Sequence, residues 1–110
     1  MIITFANRKL EKCANKTSFA VKELGAIRAK KFKQRLDDLA AITNLEEAKK
    51  LPGKYHELTS DRKGTWACNL DGAFRLIFTP HNNPIPTNEN GQYVWVEIIG
   101  VEIIEIIDYH

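Results

Sequence analysis

An α+β fold is predicted for this chain, with N-terminal helices packed on one face of a mainly antiparallel, twisted sheet. Three observations predict it. Apolar residues recur at helical spacing only before Pro52-Gly53. After that point the pattern turns to short β-branched and aromatic runs. Asp71-Gly72 then joins two of those runs with a strong hairpin signal. Helices first and strands after argue for elements segregated to opposite layers. The 110 residues suit a single domain, 1–110, with one modest core.

Taken in order, Ile2–Phe5 is a short apolar run and reads as a first strand. Asn7 is placed to cap a short helix over Arg8–Ala14. Thr17 or Ser18 caps a longer helical stretch. Its apolar stripe is Phe19, Val21, Leu24, Ile27, Phe32, Leu36, Leu39 and Ile42, at spacings mostly of three and four. Gly25 falls inside the stripe and predicts a break there. The opposite face carries Lys22, Arg28, Lys30, Lys31, Lys33 and Arg35. A short helical turn at Leu45–Lys50 ends at Pro52-Gly53. Lys54–Leu58 reads as a strand and Asp61–Gly64 as a turn. Thr65–Leu70 and Ala73–Thr79 form the hairpin. A two-residue loop would set Leu70 opposite Ala73, Cys68 opposite Arg75 and Trp66 opposite Ile77. In that register Phe74, Leu76 and Phe78 face the helices, while Trp66 and Arg75 share the other face. Pro80–Gln92 reads as a mobile loop. Tyr93–Ile99 suits either a strand or a short helical turn. Val101–Ile107, five β-branched aliphatics and two glutamates, is the last strand.

The formal net charge of +2 hides an asymmetry. Residues 1–35 hold ten Lys/Arg and two Glu, whereas residues 81–110 hold five acids and no Lys or Arg. A basic half points to a polyanion-facing surface, to an acidic protein partner, or to a plain solvated helix face. No apolar run is long enough for a membrane span, and the start lacks the apolar stretch of a signal peptide, so a cytoplasmic location is expected. Cys13 and Cys68 lie far apart and read as reduced structural thiols. His81 sits in the Pro-rich loop, and neither His56 nor His110 has a ligand at short spacing. No metal site and no cofactor are therefore expected.

The candidate chemistry gathers in two stretches, Tyr55-His56-Glu57 and the terminal Asp108-Tyr109-His110. Lys54, Arg62, Lys63 and Arg75 add cations. Two imidazoles, a phenol, a carboxylate and several cations are what metal-free RNA cleavage requires. A base takes the proton of a ribose 2′-OH, an acid protonates the leaving 5′-oxygen, and cations hold the phosphate as charge builds on it. Histidine suits the acid and base roles because its pKa lies near neutrality. Tyr109 and Trp66 offer rings on which unpaired bases stack. Each residue taken alone has an ordinary structural reading.

The segment LPGKYHELTSDRKGTWACNLDGAFRLIF, Leu51–Phe78, together with the ending IIEIIDYH, resembles the HigB group of the RelE/ParE toxin superfamily. The resemblance runs nearly end to end: helices first, LPG, a HEL strand, DRKG, a W…G…R-[LI]-x-F hairpin and a terminal DYH. Thr59-Ser60 stand where many relatives carry lysine or glycine after HEL. The resemblance implies a RelE-like fold and the toxin of a type II toxin–antitoxin pair. Such a toxin enters the ribosomal A site and cleaves mRNA without metal, leaving a 2′,3′-cyclic phosphate. The implied partners are the ribosome, mRNA and a cognate HigA-like helix-turn-helix antitoxin, through which the complex binds operator DNA. The implied catalytic residues are His56, Asp108, Tyr109 and His110. Arg75 is the sheet arginine, and Arg62 and Lys63 are the DRKG cations. Two other functions suit the same features. One is a ParE-like gyrase inhibitor, and the other is a non-catalytic RNA- or protein-binding module built on the basic helix.

Overall fold

A computed structural model of the chain describes residues 1–108. The chain runs β1 (Ile2–Phe5), α1 (Arg8–Asn15), α2 (Thr17–Leu24), α3 (Ala26–Ala41), β2 (His56–Glu57), β3 (Trp66–Asn69), β4 (Phe74–Pro80) and β5 (Gly100–Asp108). Short 3-10 turns lie at Leu45–Lys50, Ser60–Arg62 and Trp95–Glu97. The sheet order is β1-β5-β4-β3-β2. Only β1 runs parallel to its neighbour; the other pairings are antiparallel.

The helical half follows local rules. Asn7 caps α1, its side chain accepting from the Leu10 N–H at 2.9 Å. Helix α2 begins one residue ahead of the expected caps, with Lys16 at its N-cap. The expected break falls at Gly25, whose φ of 85° ends α2 and opens α3. The Met1 ammonium donates to the carbonyls of Leu39 and Ala40 at 3.1 and 3.0 Å. It thereby supplies positive charge where the α3 dipole is negative. No helix among the described residues is long and apolar enough to cross a membrane.

The stripe from α3 and the short turns meets one face of the sheet. Phe32, Leu36, Leu39, Leu45 and Ala48 pack there with Trp66, Cys68, Leu76, Phe78, Val101 and Ile103. Trp95 closes one end of this core, edge-on to Trp66 with ring centroids 5.2 Å apart, and Tyr93 tilts against Trp95 at 5.1 Å. The segment before β5 is thus part of the core. Its Pro-rich start is hydrogen-bonded as well. Thr87 bridges Tyr93, and Asn88 Oδ1 accepts from the Asn90 and Gln92 N–H groups.

The hairpin differs from expectation by one residue. Trp66 pairs with Phe78, Cys68 with Leu76 and Asn69 with Arg75. The loop has three residues, Asp71-Gly72-Ala73, closed by Leu70 N–H to Phe74 O and Phe74 N–H to Asp71 O. A one-residue slip moves every side chain to the other face. Trp66 therefore lies in the core beneath the helices, fully buried and stacked on Phe78 at 6.3 Å. It offers no ring to a nucleotide.

Two of the expected surface cations are also elsewhere. Arg28 makes a two-pronged pair with Asp71, at 2.9 and 3.1 Å, and lies 3.3 Å from the centroid of the Phe74 ring. This contact holds the tip of the hairpin on α3. Arg35 is buried. It donates to Asn69 O at 2.7 Å and to Pro52 O at 3.3 Å, tying α3 to β3 and to the Pro52-Gly53 turn. Gly53 is required there. A Cβ at this residue would lie 2.6 Å from Arg35 Nε, and its φ is 116°.

Candidate functional site

The second face of the sheet carries the candidate chemistry. His56 pairs with Ala67, Ala67 with Ile77 and Ile77 with Glu105, so these four residues form one row across β2, β3, β4 and β5. Cross-strand partners share a face. The neighbouring row holds Asn69, Arg75 and Ile107. Ala67 and Ile77 are buried without belonging to the helix-side core; they are the apolar floor of this face. Above them His56, Leu58, Ala67 and Arg75 line a shallow cavity of about 130 Å³. The structure thus brings together His56 and Arg75, residues from two strands separated by β3.

His56 is exposed, and its Nδ1 lies 2.7 Å from the carbonyl oxygen of Lys54. Its strand is shorter than expected because Lys54 sits in a turn with φ 54°. Arg75 is half-buried and donates from Nη1 to the carbonyls of Gly72 and Phe74, at 3.1 and 3.0 Å. Both carbonyls belong to the hairpin loop and its exit, so the unexpected third loop residue also sets how Arg75 is held.

Arg62 reaches this face from the 3-10 turn Ser60–Arg62 and donates from Nη2 to Glu105 Oε1 at 2.8 Å. Three strand spacings of about 4.8 Å put the backbones of His56 and Glu105 about 14 Å apart. Arg62 therefore serves the far end of the row. Lys63 is exposed, its ammonium 5.4 Å from the centroid of the Tyr93 ring. Lys54 is exposed at the His56 end.

Glu105 is the residue that sequence reasoning missed. Glu102 and Glu105 are three apart, which strict alternation would put on opposite faces. A register shift between Ile77 and Phe78 leaves Ile104 without a partner. Glu102 then faces Thr79 while Glu105 faces Ile77, and both glutamates fall on the same side. Their spacing of three inside a strand was the available signal.

Other candidates lie apart. Asp108 pairs with Phe74, so its side chain shares the Phe74 face and not that of Arg75. Tyr109 and His110 lie outside the described residues. His81 packs over Gly100, where a Cβ would come 2.4 Å from Nδ1, and its Nε2 is 2.7 Å from Thr4 Oγ1. It stands at the opposite end of the sheet face from His56. Among the described residues no three His, Cys, Asp or Glu side chains gather closely enough to hold a metal ion.

Beneath the site lies a buried polar layer. The Tyr55 hydroxyl donates to Arg35 O at 3.1 Å, and burial pushes its pKa well up. Burial pushes the Cys68 thiol up to about 12, against smaller opposing effects from its Tyr55 hydrogen bond and from Arg35. Both groups are locked neutral and act as scaffold for β2 and β3.

No protein-family model matches the sequence, and no curated protein does. The fold, in contrast, is shared with solved toxins. A YoeB–YefM complex from Staphylococcus aureus matches at 18% identity, covering 100% of this chain and 97% of that one, with a TM-score of 0.57. A YoeB dimer from Staphylococcus aureus matches at 18% identity over 100% and 97%, with a TM-score of 0.56. A YoeB/ParE toxin from Agrobacterium tumefaciens matches at 17% identity over the full length of both chains, with a TM-score of 0.51. At these identities the likeness establishes the fold, the α+β architecture expected from the sequence.

Proposed function

We propose that this protein is the toxin of a type II toxin–antitoxin pair and a ribosome-dependent endoribonuclease that cleaves mRNA in the A site. The observation that carries the reading is the convergence of His56 and Arg75 on one exposed cavity, on the sheet face that the helices leave uncovered. The fold shared with YoeB and YoeB/ParE toxins supports it.

The chemistry needs only side chains. His56 and His110 divide the base and acid roles. The base takes the ribose 2′-OH proton, the 2′-oxygen attacks phosphorus, and the acid protonates the departing 5′-oxygen, leaving a 2′,3′-cyclic phosphate. Arg75 neutralises the charge that builds on the phosphate oxygens, and Arg62, held by Glu105 at the far end of the face, contacts the RNA farther along. Asp108, on the Phe74 face and not that of His56, would orient or polarise His110, and Tyr109 stacks on the nucleotide or hydrogen-bonds to it. Lys63 and the lysines of α2 and α3 provide salt-sensitive contacts to ribosomal RNA. A HigA-like antitoxin is the cognate partner, and through it the complex binds operator DNA. The protein acts in the cytoplasm, where its substrate is.

The test is to map mRNA 5′ ends in a purified translation reaction with the protein, with a His56→Ala variant and with a chain lacking Tyr109-His110. Expected are cuts at A-site codons that require translating ribosomes and vanish in both variants. Growth inhibition with intact mRNA and blocked gyrase would replace this reading with a ParE-like inhibitor. RNA binding that survives both changes without cleavage would replace it with a binding module.

A further inference from the structure

Among the described residues, two besides glycine have positive φ: Lys54 at 54° and Ser60 at 59°. They bracket β2, the strand that carries His56. A side chain with a Cβ disfavours this backbone region, and residues held there cluster where a site's geometry is imposed by the fold. At Lys54 the product of that conformation is visible. A strand residue keeps its carbonyl in the plane of the sheet, away from the side chain two residues on. The left-handed turn at Lys54 takes its carbonyl out of that plane and sets the oxygen 2.7 Å from His56 Nδ1.

We infer that the Lys54 carbonyl locks His56 in the Nδ1–H tautomer and thereby makes His56 Nε2 the base that deprotonates the ribose 2′-OH. The base role rests on the nuclease reading above. A carbonyl oxygen only accepts, so the hydrogen in this contact belongs to Nδ1, and the lone pair of the neutral ring is left on Nε2. Free histidine carries its proton mainly on Nε2, so the lock selects the minority form. In the reaction Nε2 gains the 2′-OH proton as the bond from the 2′-oxygen to phosphorus forms. The bond from phosphorus to the 5′-oxygen breaks, and a second group, the acid, returns a proton to that oxygen. The imidazolium left on His56 keeps its Nδ1–H bond to Lys54, so the same carbonyl stabilises the charge. Lys54 is a positioning residue acting through its backbone, and the acid is a group other than His56.

The test uses the full chain and three variants at residue 54. Lys54→Gly and Lys54→Asn tolerate the left-handed conformation, whereas Lys54→Val resists it. Nitrogen-15 NMR of the imidazole reads the tautomer without reference to activity. The wild type, Lys54→Gly and Lys54→Asn are expected to show Nδ1–H at His56. In Lys54→Val the signature shifts toward Nε2–H, and kcat in the ribosome-dependent assay falls about 100-fold. In Lys54→Gly the cation is lost but the turn is kept, so KM is expected to rise and kcat to fall much less than in Lys54→Val. A wild-type ring protonated on Nε2 would overturn the lock whatever the activity. A fall in kcat as deep in Lys54→Gly as in Lys54→Val would overturn the positioning role in favour of the cation. A wild type that shows Nδ1–H but cleaves nothing would overturn the nuclease reading and the base role with it, and leave the lock standing.

Discussion

The two faces of the β3–β4 hairpin are built from the same residues in alternation, yet they do different work. Trp66, Cys68, Leu76 and Phe78 face the helices and are fully buried. Ala67, Ile77 and Arg75 face the other way, where a thin apolar floor supports charged and exposed groups. The difference teaches that one residue of register decides which side chains are structure and which are chemistry. On the helix side a substitution acts on stability; under the proposed activity, one at the exposed groups of the second face, His56 above all, acts on rate.

Four experiments would break or sharpen that division. The largest effect is expected at His56. His56→Ala lowers ribosome-dependent cleavage by about 100- to 10,000-fold. The melting temperature is unchanged, because the ring is exposed. A large loss of stability in this variant would erase the division. Trp66→Ala is the counterpart on the helix side. Chemical denaturation should show a loss of about 3–5 kcal/mol, with cleavage per folded molecule preserved. Trp66→Phe costs much less, since the buried indole N–H has no acceptor among the described residues.

Gly53→Ala comes next. Its Cβ would collide with Arg35, and its positive φ would be strained, for a cost of about 1–3 kcal/mol. Because Arg35 ties this turn to β3, the same variant should also slow cleavage, and a variant with full rate would separate the Arg35 anchor from the site. The smallest effect is a pH dependence. The folded Cys68 thiol is raised by burial from its ordinary 9.0 to about 12. In that range the native state holds a proton that the unfolded chain has released. The resulting stabilisation is complete below pH 9 and is lost as pH rises toward 12. Denaturation midpoints measured from pH 8 to 11 should fall, and Cys68→Ala should make the slope shallower, the remainder coming from Tyr55 and Cys13, which burial also raises.

Much of the fold is legible in the sequence because local signals carry it. The Asn7 cap, the part of the stripe at Phe32, Leu36 and Leu39, the Gly25 break and the β-branched run of β5 each need only their neighbours. Val21 and Ile27, also read into the stripe, are instead exposed, because no element among the described residues packs over them. The hairpin itself is legible from Asp-Gly, but its register is not. Arg28 grips Asp71 and covers Phe74 from 43 residues away, and no local rule contains that contact. The same limit hid the burial of Arg35, which looks like one more cation on a basic helix until the Pro52-Gly53 turn folds over it. His56 and Arg75 were visible as candidates from residue type and motif. Their meeting in one cavity depends on β3 lying between them, and Glu105 joined the face through a bulge that no residue type announces.

The sheet order has a consequence for the life of the chain. The first strand to be synthesised, β1, has the last, β5, as its neighbour in the sheet, and β5 also flanks β4. Until β5 is made, β1 has no ladder and the second face lacks its Glu105 side. A chain still being translated can form its helices and the β3–β4 hairpin but not the finished face. The assembly of so distant a pairing is slow and comes late. Under the proposed activity, the ribosome building this protein is not exposed to a working nuclease until β5 has been made and paired.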